Sequence, residues 1–158
     1  MSLRRVMLPP AIAGSLWLSS MPGRFGPWQA FETQAQRAGL GLVVCLTPRQ
    51  ELAELSPAYH AAVTEGSLPF RWLNLPMPNF GLPQDAAAFR REIGRIADEL
   101  RRGDAVLLHC AAGLGRTGTA AACVLKALGL TADEALEQVR TAGSNPQNAR
   151  QSGLVDWF

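Results

Sequence analysis

The sequence is poor in lysine and in net charge. Lys126 is the only lysine among 15 basic residues, and 13 acidic residues leave a formal net charge of +2. Domains that bind nucleic acid carry a clustered basic stripe, so this small and scattered charge argues against nucleic acid as a partner. The arginine-rich composition agrees better with anionic or phosphorylated ligands.

Cysteines and long apolar segments are also scarce. Cys45, Cys110 and Cys123 form neither an even set nor a Cys-x-x-Cys pair, so we expect no disulfide framework, no zinc site and no other cofactor. This usage favours a reducing, cytoplasmic setting. No segment approaches the roughly 20 apolar residues of a membrane span, and the first residues lack the apolar core of a signal peptide. The sequence therefore predicts a soluble protein with no membrane partner.

The length and the hydrophobic pattern predict one α/β domain over residues 1–158, present as a monomer. The chain has 158 residues, of which 47% are hydrophobic and 18% charged, a balance typical of a folded globular domain. Short apolar runs alternate with amphipathic stretches, which favours a central, mostly parallel sheet of about four or five strands flanked by helices. Strands are predicted at Ser15–Ser19, Leu40–Leu46, Phe70–Leu75 and Ala105–His109.

Helical spacing and capping signals predict the elements between the strands. One helix carries Trp28, Phe31, Ala35 and Ala38 and stops at Gly39, and a second follows Pro48 and breaks near Pro57. Further helices are predicted from the cap Asp85 to Arg102, from about Arg116 to Leu128, and after the capping box of Thr131 and Glu134.

A glycine-rich turn follows the strand Ala105–His109 and leads into the next helix. Its three glycines, Gly113, Gly115 and Gly118, match the dinucleotide-binding pattern G-x-G-x-x-G. That pattern also requires a following strand that ends in an acidic residue, whereas a capped helix follows here. The nucleoside-triphosphate loop is excluded because no lysine follows the glycines.

An oxyanion cradle accounts for more of the residues in this turn. Cys110 and Arg116 are separated by five residues, a spacing at which backbone N–H groups and a guanidinium can point at one tetrahedral anion. The phosphate-binding groups would come from Ala111, Ala112, Gly113, Leu114, Gly115 and Arg116. The same donors favour a thiolate. Cys110 would therefore attack phosphorus to form a phosphocysteine that water hydrolyses, and the Thr117 hydroxyl would stabilise the departing thiolate.

A purely structural interpretation stays open for part of this turn. Cys110 could be a small buried residue at a strand end, with the glycines permitting a tight turn. That interpretation leaves Arg116 and Thr117 unexplained, because both follow in register. His109 is better explained as a core histidine that hydrogen-bonds the loop and supports its geometry.

The stretch His109–Gly118 resembles the active-site loop of the protein tyrosine and dual-specificity phosphatase superfamily. Its late position in the chain is similar to that in the dual-specificity group, and within that group to cyclin-dependent-kinase-associated phosphatases (the cyclin-dependent kinase inhibitor 3 family). That similarity spans roughly residues 14–158 and uses Val43–Thr47 with Glu51 and Leu52, Gly113–Arg116, and Pro76–Pro83. The resemblance implies a dual-specificity-phosphatase-like fold. It also implies hydrolysis of phosphotyrosine, phosphoserine or phosphothreonine in a phosphorylated protein, or of a small phosphate ester.

The resemblance also implies a general acid, normally an aspartate on a mobile loop some thirty residues before the cysteine. The matching position is Asn79, whose amide cannot donate a proton as a carboxylic acid does. Asp85 could replace it, although Asp85 also suits a helix cap. Otherwise the leaving group needs no acid, or Asn79 is an introduced substrate-trapping substitution. A phosphatase-like module that binds phosphorylated ligands and turns over slowly is the alternative function.

Three more residues are candidates for the site. Gln151 lies where the family has a glutamine that can position the hydrolytic water, although a polar surface loop explains it equally well. Arg24 follows the first predicted strand, at the sheet edge where α/β proteins bind ligands, and is a candidate substrate contact. Cys45 ends the second strand, where it could form a protective reversible disulfide with Cys110 or be an ordinary buried cysteine.

Overall fold

The computed structural model describes residues 2–158 and contains a five-stranded sheet with helices on both faces. The strands are β1 (Arg4–Val6), β2 (Ser15–Ser19), β3 (Leu42–Cys45), β4 (Arg71–Asn74) and β5 (Ala105–His109). Their order in the sheet is β1-β2-β5-β3-β4, with β1 antiparallel to β2 and the remaining pairs parallel. The predicted α/β fold with a mostly parallel sheet is confirmed.

The strand predictions differ from the structure mainly at the ends. The strands cover fewer residues than the apolar runs Leu40–Leu46 and Phe70–Leu75. Beyond the strand ends single backbone bonds continue the pairing, since the Leu46 N–H donates to the His109 carbonyl and the Leu75 N–H to the Cys45 carbonyl, both at 2.9 Å. The edge strand β1 was not predicted. It is a strand of three residues, two of them arginines, so it has no apolar alternation to reveal it.

Residues 2–158 also form seven helices, four between the strands and three after β5. They are α1 (Trp28–Ala38), α2 (Arg49–Leu55), α3 (Pro57–Glu65), α4 (Ala86–Arg101), α5 (Gly115–Ala127), α6 (Ala132–Thr141) and α7 (Ala149–Trp157). The predicted break near Pro57 is the start of a new helix, with proline in the first turn where its missing N–H costs nothing. Sequence analysis missed α7, whose apolar residues show little helical periodicity.

The central strand β5 is buried on both faces of the sheet. Val106 and Leu108 point to the face covered by α4, α5, α6 and α7, whereas Leu107 points to the face covered by α1. All three side chains are fully buried, as expected for a strand with helices on both sides. The loop after β5 therefore lies in the middle of the carboxyl edge of the sheet, where open α/β folds bind ligands.

Candidate active site

The carboxyl end of β5 leads into a tight loop, Cys110–Leu114, before α5 begins at Gly115. We call the segment Cys110–Arg116 the phosphate loop. Gly113 has a φ of 76°, and a Cβ on it would lie 2.6 Å from the backbone of Ser19 and Ser20. Glycine satisfies both the left-handed conformation and the close approach. The loop is thereby held against the end of β2 at the N-terminus of α5.

The sulfur of Cys110 lies at the base of this loop, and the residue is only 2% exposed. It accepts hydrogen bonds from the Gly113 N–H at 3.2 Å and from the Thr117 hydroxyl at 3.0 Å. Hydrogen bonds donated to a sulfur are stronger when the sulfur is charged. The sulfur therefore has two hydrogen-bond donors, and Thr117 is in direct contact with it.

The guanidinium of Arg116 is fixed by acceptors on two other segments. Its Nη1 and Nη2 donate to the Glu51 carboxylate at 3.2 and 2.7 Å, and Nη1 also donates to the Met77 carbonyl at 3.0 Å. Arg116 is 3% exposed, so an unpaired charge there would be costly. A bidentate partner fixes both the charge and the plane of the guanidinium.

Sequence analysis did not assign Glu51 to the site. It appeared only within a stretch that resembles the kinase-associated phosphatases, and the pairing joins residues 65 positions apart. A usable signal existed, because a buried arginine in a phosphate loop requires a carboxylate partner. The first turn of α2, which contains Glu51, follows the end of β3 at the same sheet edge.

A cavity of about 410 Å³ opens above the phosphate loop. Predicted site residues from separate parts of the chain line it, namely Arg24, Asn79, Cys110, Ala111, Ala112, Gly115, Arg116 and Gln151. Five residues that sequence analysis did not assign to the site also line it, namely Glu51, Glu54, Leu55, Phe80 and Gln147. The structure thus brings the predicted loop, the Asn79 segment and the C-terminal glutamines around one space.

Four predicted site residues do not line this cavity, namely Asp85, Gly113, Leu114 and Thr117. Gly113 and Leu114 belong to the phosphate loop and Thr117 contacts the Cys110 sulfur, whereas Asp85 does neither. It is the N-cap of α4, and its Oδ1 accepts the Ala88 N–H at 3.0 Å. It is absent from the residues that line the cavity. The geometry therefore agrees with the helix-cap interpretation of Asp85, and Asn79 occupies the cavity wall instead.

The segment Pro78–Pro83, which we call the facing loop, is exposed and held from one side. Phe80 has a φ of 58° and is 57% exposed. The Asn148 side chain donates to the Phe80 carbonyl at 2.8 Å, and the Gln151 side chain donates to the Gly81 carbonyl at 3.4 Å. The start of α7 therefore fixes the backbone of this loop while leaving the Phe80 ring in solvent.

The two glutamines of the C-terminal segment have different surroundings. The Gln151 amide is fully buried, and its Oε1 accepts the Gln147 N–H at 2.9 Å. The Gln147 side chain lies against the phosphate loop, since a Cβ on Gly115 would come within 2.8 Å of its Oε1. Gln151 therefore supports the segment, and Gln147 presents its amide to the loop.

Arg24 lies on a segment that is attached to the phosphate loop. The Met21 N–H donates to the Ala111 carbonyl at 3.1 Å, and the Arg24 N–H donates to the Met21 carbonyl at 3.1 Å. The Arg24 guanidinium stacks over the Phe25 ring at 4.5 Å from its centroid. A cation and an exposed aromatic ring therefore stand together at the rim of the cavity.

His109 supports the phosphate loop from behind through a chain of hydrogen bonds. The Cys110 carbonyl can only accept, so His109 Nδ1–H donates to it at 3.2 Å. Nε2 of the neutral ring then accepts from the Tyr59 hydroxyl at 2.7 Å, and the Trp72 indole N–H donates to the Tyr59 oxygen at 2.8 Å. Burial lowers the pKa of His109 to about 4, so the ring is neutral at pH 7. This agrees with the predicted supporting role.

Cys45 and Cys123 are both buried. Burial raises the pKa of Cys45, whose thiol contacts the Thr47 side chain at 3.2 Å. Cys45 is close enough to Cys110 and Arg116 for their charges to act on it, and its reversible disulfide with Cys110 stays a prediction. Burial raises the pKa of Cys123 to about 12, which makes it unreactive near neutral pH.

The donors that converge on the cavity are amides and a guanidinium. Across residues 2–158 we find no cluster of three or more His, Cys, Asp or Glu side chains that could hold a metal ion. In the same range, no helix has both the length and the hydropathy needed to cross a membrane. Amides at a helix N-terminus together with Arg116 suit a tetrahedral oxyanion.

Comparison with protein families agrees with this geometry. A family model described as "Swiss Army Knife protein, DSP-PTPase phosphatase domain" matches residues 28–152. The chain belongs to this phosphatase family. The predicted membership of the protein tyrosine and dual-specificity phosphatase superfamily is therefore confirmed, and with it the predicted enzyme class. This phosphatase domain is also 30% identical over 106 residues to the putative tyrosine phosphatase 067L of Invertebrate iridescent virus 3. The match covers 65% of this chain and 40% of the viral protein.

Solved structures show the same fold. A kinase associated phosphatase with its catalytic cysteine substituted by serine matches with a TM-score of 0.84 and 19% identity, over 98% of this phosphatase domain and 92% of that chain. The active form of Tk-PTP matches with a TM-score of 0.71 and 25% identity, over 94% and 95%. A putative protein tyrosine phosphatase from Leishmania major matches with a TM-score of 0.74 and 17% identity, over 100% and 99%.

Proposed function

We propose that this domain is a cysteine-dependent phosphatase that hydrolyses phosphomonoesters through a phosphocysteine intermediate. The observation that carries the proposal is the sulfur of Cys110, which accepts hydrogen bonds from Gly113 and Thr117 beneath the fixed guanidinium of Arg116. A nucleophile at the base of an anion site is what attack on a bound phosphate requires. The substrate class is a phosphorylated protein or a small phosphate ester.

The reaction has two displacement steps at phosphorus. The Cys110 thiolate forms the S–P bond while the bond from phosphorus to the ester oxygen breaks, and the released oxygen takes a proton from solvent water. A water molecule then attacks phosphorus, the S–P bond breaks, the thiolate returns, and inorganic phosphate leaves with the protons of that water. Arg116 and the backbone amides neutralise the charge on the transferred oxygens in both steps. The Thr117 hydroxyl stabilises the thiolate that leaves in the second step.

The second step needs a group that positions water. The family resemblance pointed to Gln151, but its amide is buried and bonded to the Gln147 N–H and the Gly81 carbonyl. Gln147 lines the same cavity and lies against Gly115. We therefore assign the water-positioning role to Gln147, and Gln151 holds Gln147 and the facing loop in place.

The first step lacks an ordinary proton donor. Asn79 occupies the cavity wall, and Asp85 is committed to capping α4. Of the carboxyl groups that line the cavity, Glu51 is paired with Arg116, and Glu54 accepts a hydrogen bond from the Gln50 side chain at 3.4 Å. We propose that turnover depends on the leaving group, being fast for aryl esters whose oxygen departs easily and slow for alkyl esters. Family membership favours this enzyme over a binding module with slow turnover.

The rim of the cavity adds a preference among substrates. Arg24 supplies a positive charge, and Phe80 supplies an exposed aromatic face. Such a pair suits an aryl phosphate with an acidic group nearby. Phosphotyrosine in an acidic sequence satisfies both contacts. Its phenolic oxygen is also a better leaving group than the alkyl oxygen of phosphoserine.

Hydrolysis of a series of aryl and alkyl phosphates, measured in the presence of a metal chelator, tests the proposal. We expect the rate to fall steeply as the leaving oxygen becomes more basic. Mass spectrometry after rapid acid quenching should show one phosphate on Cys110. Cys110→Ser should reduce kcat by about 10⁴-fold or more. Full activity in that variant would exclude the thiolate mechanism.

A further inference from the structure

The carbonyl group of Gly113 accepts two hydrogen bonds from outside the phosphate loop. Arg4 Nη2 donates to it at 2.7 Å and the Ser144 hydroxyl donates to it at 2.6 Å. These donors belong to the edge strand β1 and to the turn after α6. Two parts of the chain that contribute nothing to the cavity lining therefore meet on one peptide of the loop.

Arg4 is committed to this contact. Its Nη1 donates to the Ala142 carbonyl at 2.7 Å and to the Ser144 hydroxyl at 3.0 Å. A Cβ on Gly143 would lie 2.8 Å from Nη1, so the turn closely encloses the guanidinium. Arg4 is thus wedged between the turn after α6 and the back of the loop.

The charge of Arg4 is not neutralised by a carboxylate. Within residues 2–158, no Asp or Glu side chain forms a salt bridge with it. Burial lowers the pKa of Arg4, and interaction with Cys110 raises it. The guanidinium stays charged at neutral pH. Its positive charge is therefore available to the Cys110 sulfur.

The orientation of one peptide follows from these contacts. A trans peptide places its C=O and N–H on opposite sides. Because the Gly113 carbonyl points to Arg4 and Ser144, the Leu114 N–H of the same peptide points away from them. That orientation is the one required of an amide that donates to an anion held inside the loop.

We propose that Arg4 is a positioning residue of the phosphate loop, acting with Ser144 to fix the Gly113–Leu114 peptide and to stabilise the anionic Cys110 sulfur. The inference rests on the proposed function, since it assigns Arg4 to the same nucleophile. Arg4 does not line the cavity. It acts through Gly113, as a fixed positive group behind the loop.

Arg5 provides a matched control on the same strand. Successive residues of a strand point to opposite faces, and the Arg5 guanidinium lies over the Trp17 ring at 5.5 Å from its centroid. It is exposed, whereas Arg4 is half-buried. Arg4→Gln and Arg5→Gln therefore remove the same charge from adjacent positions, and only the first touches the phosphate loop.

The test measures Cys110 without turnover, as the rate of its alkylation by iodoacetamide from pH 4 to pH 9 and as the affinity for orthovanadate. The charged or titratable groups around Cys110 are Arg4, Arg116 with Glu51, His109 and Cys45, together with Arg24 and Glu54 in the cavity lining. In Arg4→Gln we expect the alkylation midpoint to move to higher pH and vanadate affinity to fall about tenfold. Arg5→Gln should match the wild type in both, and Arg4→Lys should recover part of the alkylation shift.

Thermal unfolding shows whether each variant is folded. If folded Arg4→Gln kept the wild-type alkylation profile and vanadate affinity, the proposal would be wrong. If Arg4→Gln does not fold, Ser144→Ala decides, because it removes the second donor to the same carbonyl and should lower vanadate affinity in the same direction. An unchanged Ser144→Ala would then overturn the proposal. Failure of the proposed function would appear separately, as activity that survives Cys110→Ser.

Discussion

The phosphate loop and the facing loop border the same cavity but are held in very different ways. In the phosphate loop the sulfur, the guanidinium and the Gly113 carbonyl each have at least two partners. In the facing loop the backbone is held by Asn148, by Gln151 and by one internal turn bond, from the Gly81 N–H to the Pro78 carbonyl at 2.8 Å, and Phe80 is exposed. For the function that we propose, the groups that would bind the anion are therefore preorganised in the fold, whereas no comparable set of contacts positions a proton donor.

Removing the Arg116 guanidinium from the phosphate loop should have the largest effect on activity. Arg116→Ala deletes the guanidinium that neutralises the transferred oxygens, and we expect kcat/KM for an aryl phosphate to fall about 10³-fold or more. Steady-state kinetics measure the loss. Arg71→Ala is the matched control, because Arg71 also makes a bidentate pair, with Glu99, but on β4 and away from the cavity. A similar fall of kcat/KM in Arg71→Ala would mean that the loss in Arg116→Ala comes from lower stability and not from the missing contact with the phosphate oxygens.

Placing a carboxylic acid on the facing loop should give that loop the proton donor that it lacks. Asn79→Asp places a proton donor on the cavity wall, and we expect kcat for alkyl phosphates to rise about 10²-fold. Activated aryl phosphates should gain much less, because their oxygen leaves without a proton. Kinetics on both ester types give the ratio. No gain on alkyl esters would show that Asn79 does not occupy the acid position.

The buried histidine makes the support of the phosphate loop sensitive to pH. Burial lowers the pKa of His109 to about 4 in the folded state, below the unfolded value near 6.5. The unfolded chain therefore binds the proton first, and stability falls as pH decreases from about 6.5 to 4, by about 3 kcal/mol in total. Urea unfolding at several pH values measures it. His109→Gln should lose this part of the pH dependence, and an unchanged slope would refute the assignment.

The smallest expected effect concerns Glu51, the carboxylate that pairs with Arg116. Glu51→Gln keeps the shape but removes the charge that fixes Arg116, and we expect kcat/KM to fall about tenfold. Glu99→Gln breaks the comparable pair with Arg71 far from the cavity and should leave kcat/KM unchanged. Equal losses in the two variants would contradict a specific role for Glu51.

The elements around the nucleophile could be predicted because they are local. The apolar run of β5, the glycines of the loop and the spacing from Cys110 to Arg116 all fall within one short segment. The contacts of Thr117 follow from the same segment, since it lies in the first turns of α5. The residues of this one segment therefore sufficed to predict the strand, the loop and the start of the helix around Cys110.

The partners of these groups were missed because they are distant in sequence. Glu51 is 65 positions from Arg116 and Arg4 is 109 positions from Gly113, and no local pattern encodes such pairs. The helix α7 was missed because its apolar residues lack periodicity, although Asn148 is a good N-cap. Spacing along the chain pointed to Gln151 as the glutamine that positions water. Spacing does not show that the Gln151 side chain is buried, whereas the Gln147 side chain lies against the phosphate loop.

The contact between Arg4 and the phosphate loop also affects the order of folding. Closing a loop of 109 positions is entropically costly and slow compared with forming a helix. Ser144 must join the same cluster, so the carbonyl of Gly113 acquires its two donors only when β1, the loop and the turn after α6 have all assembled. Anion affinity should therefore appear late during refolding, after most secondary structure has formed.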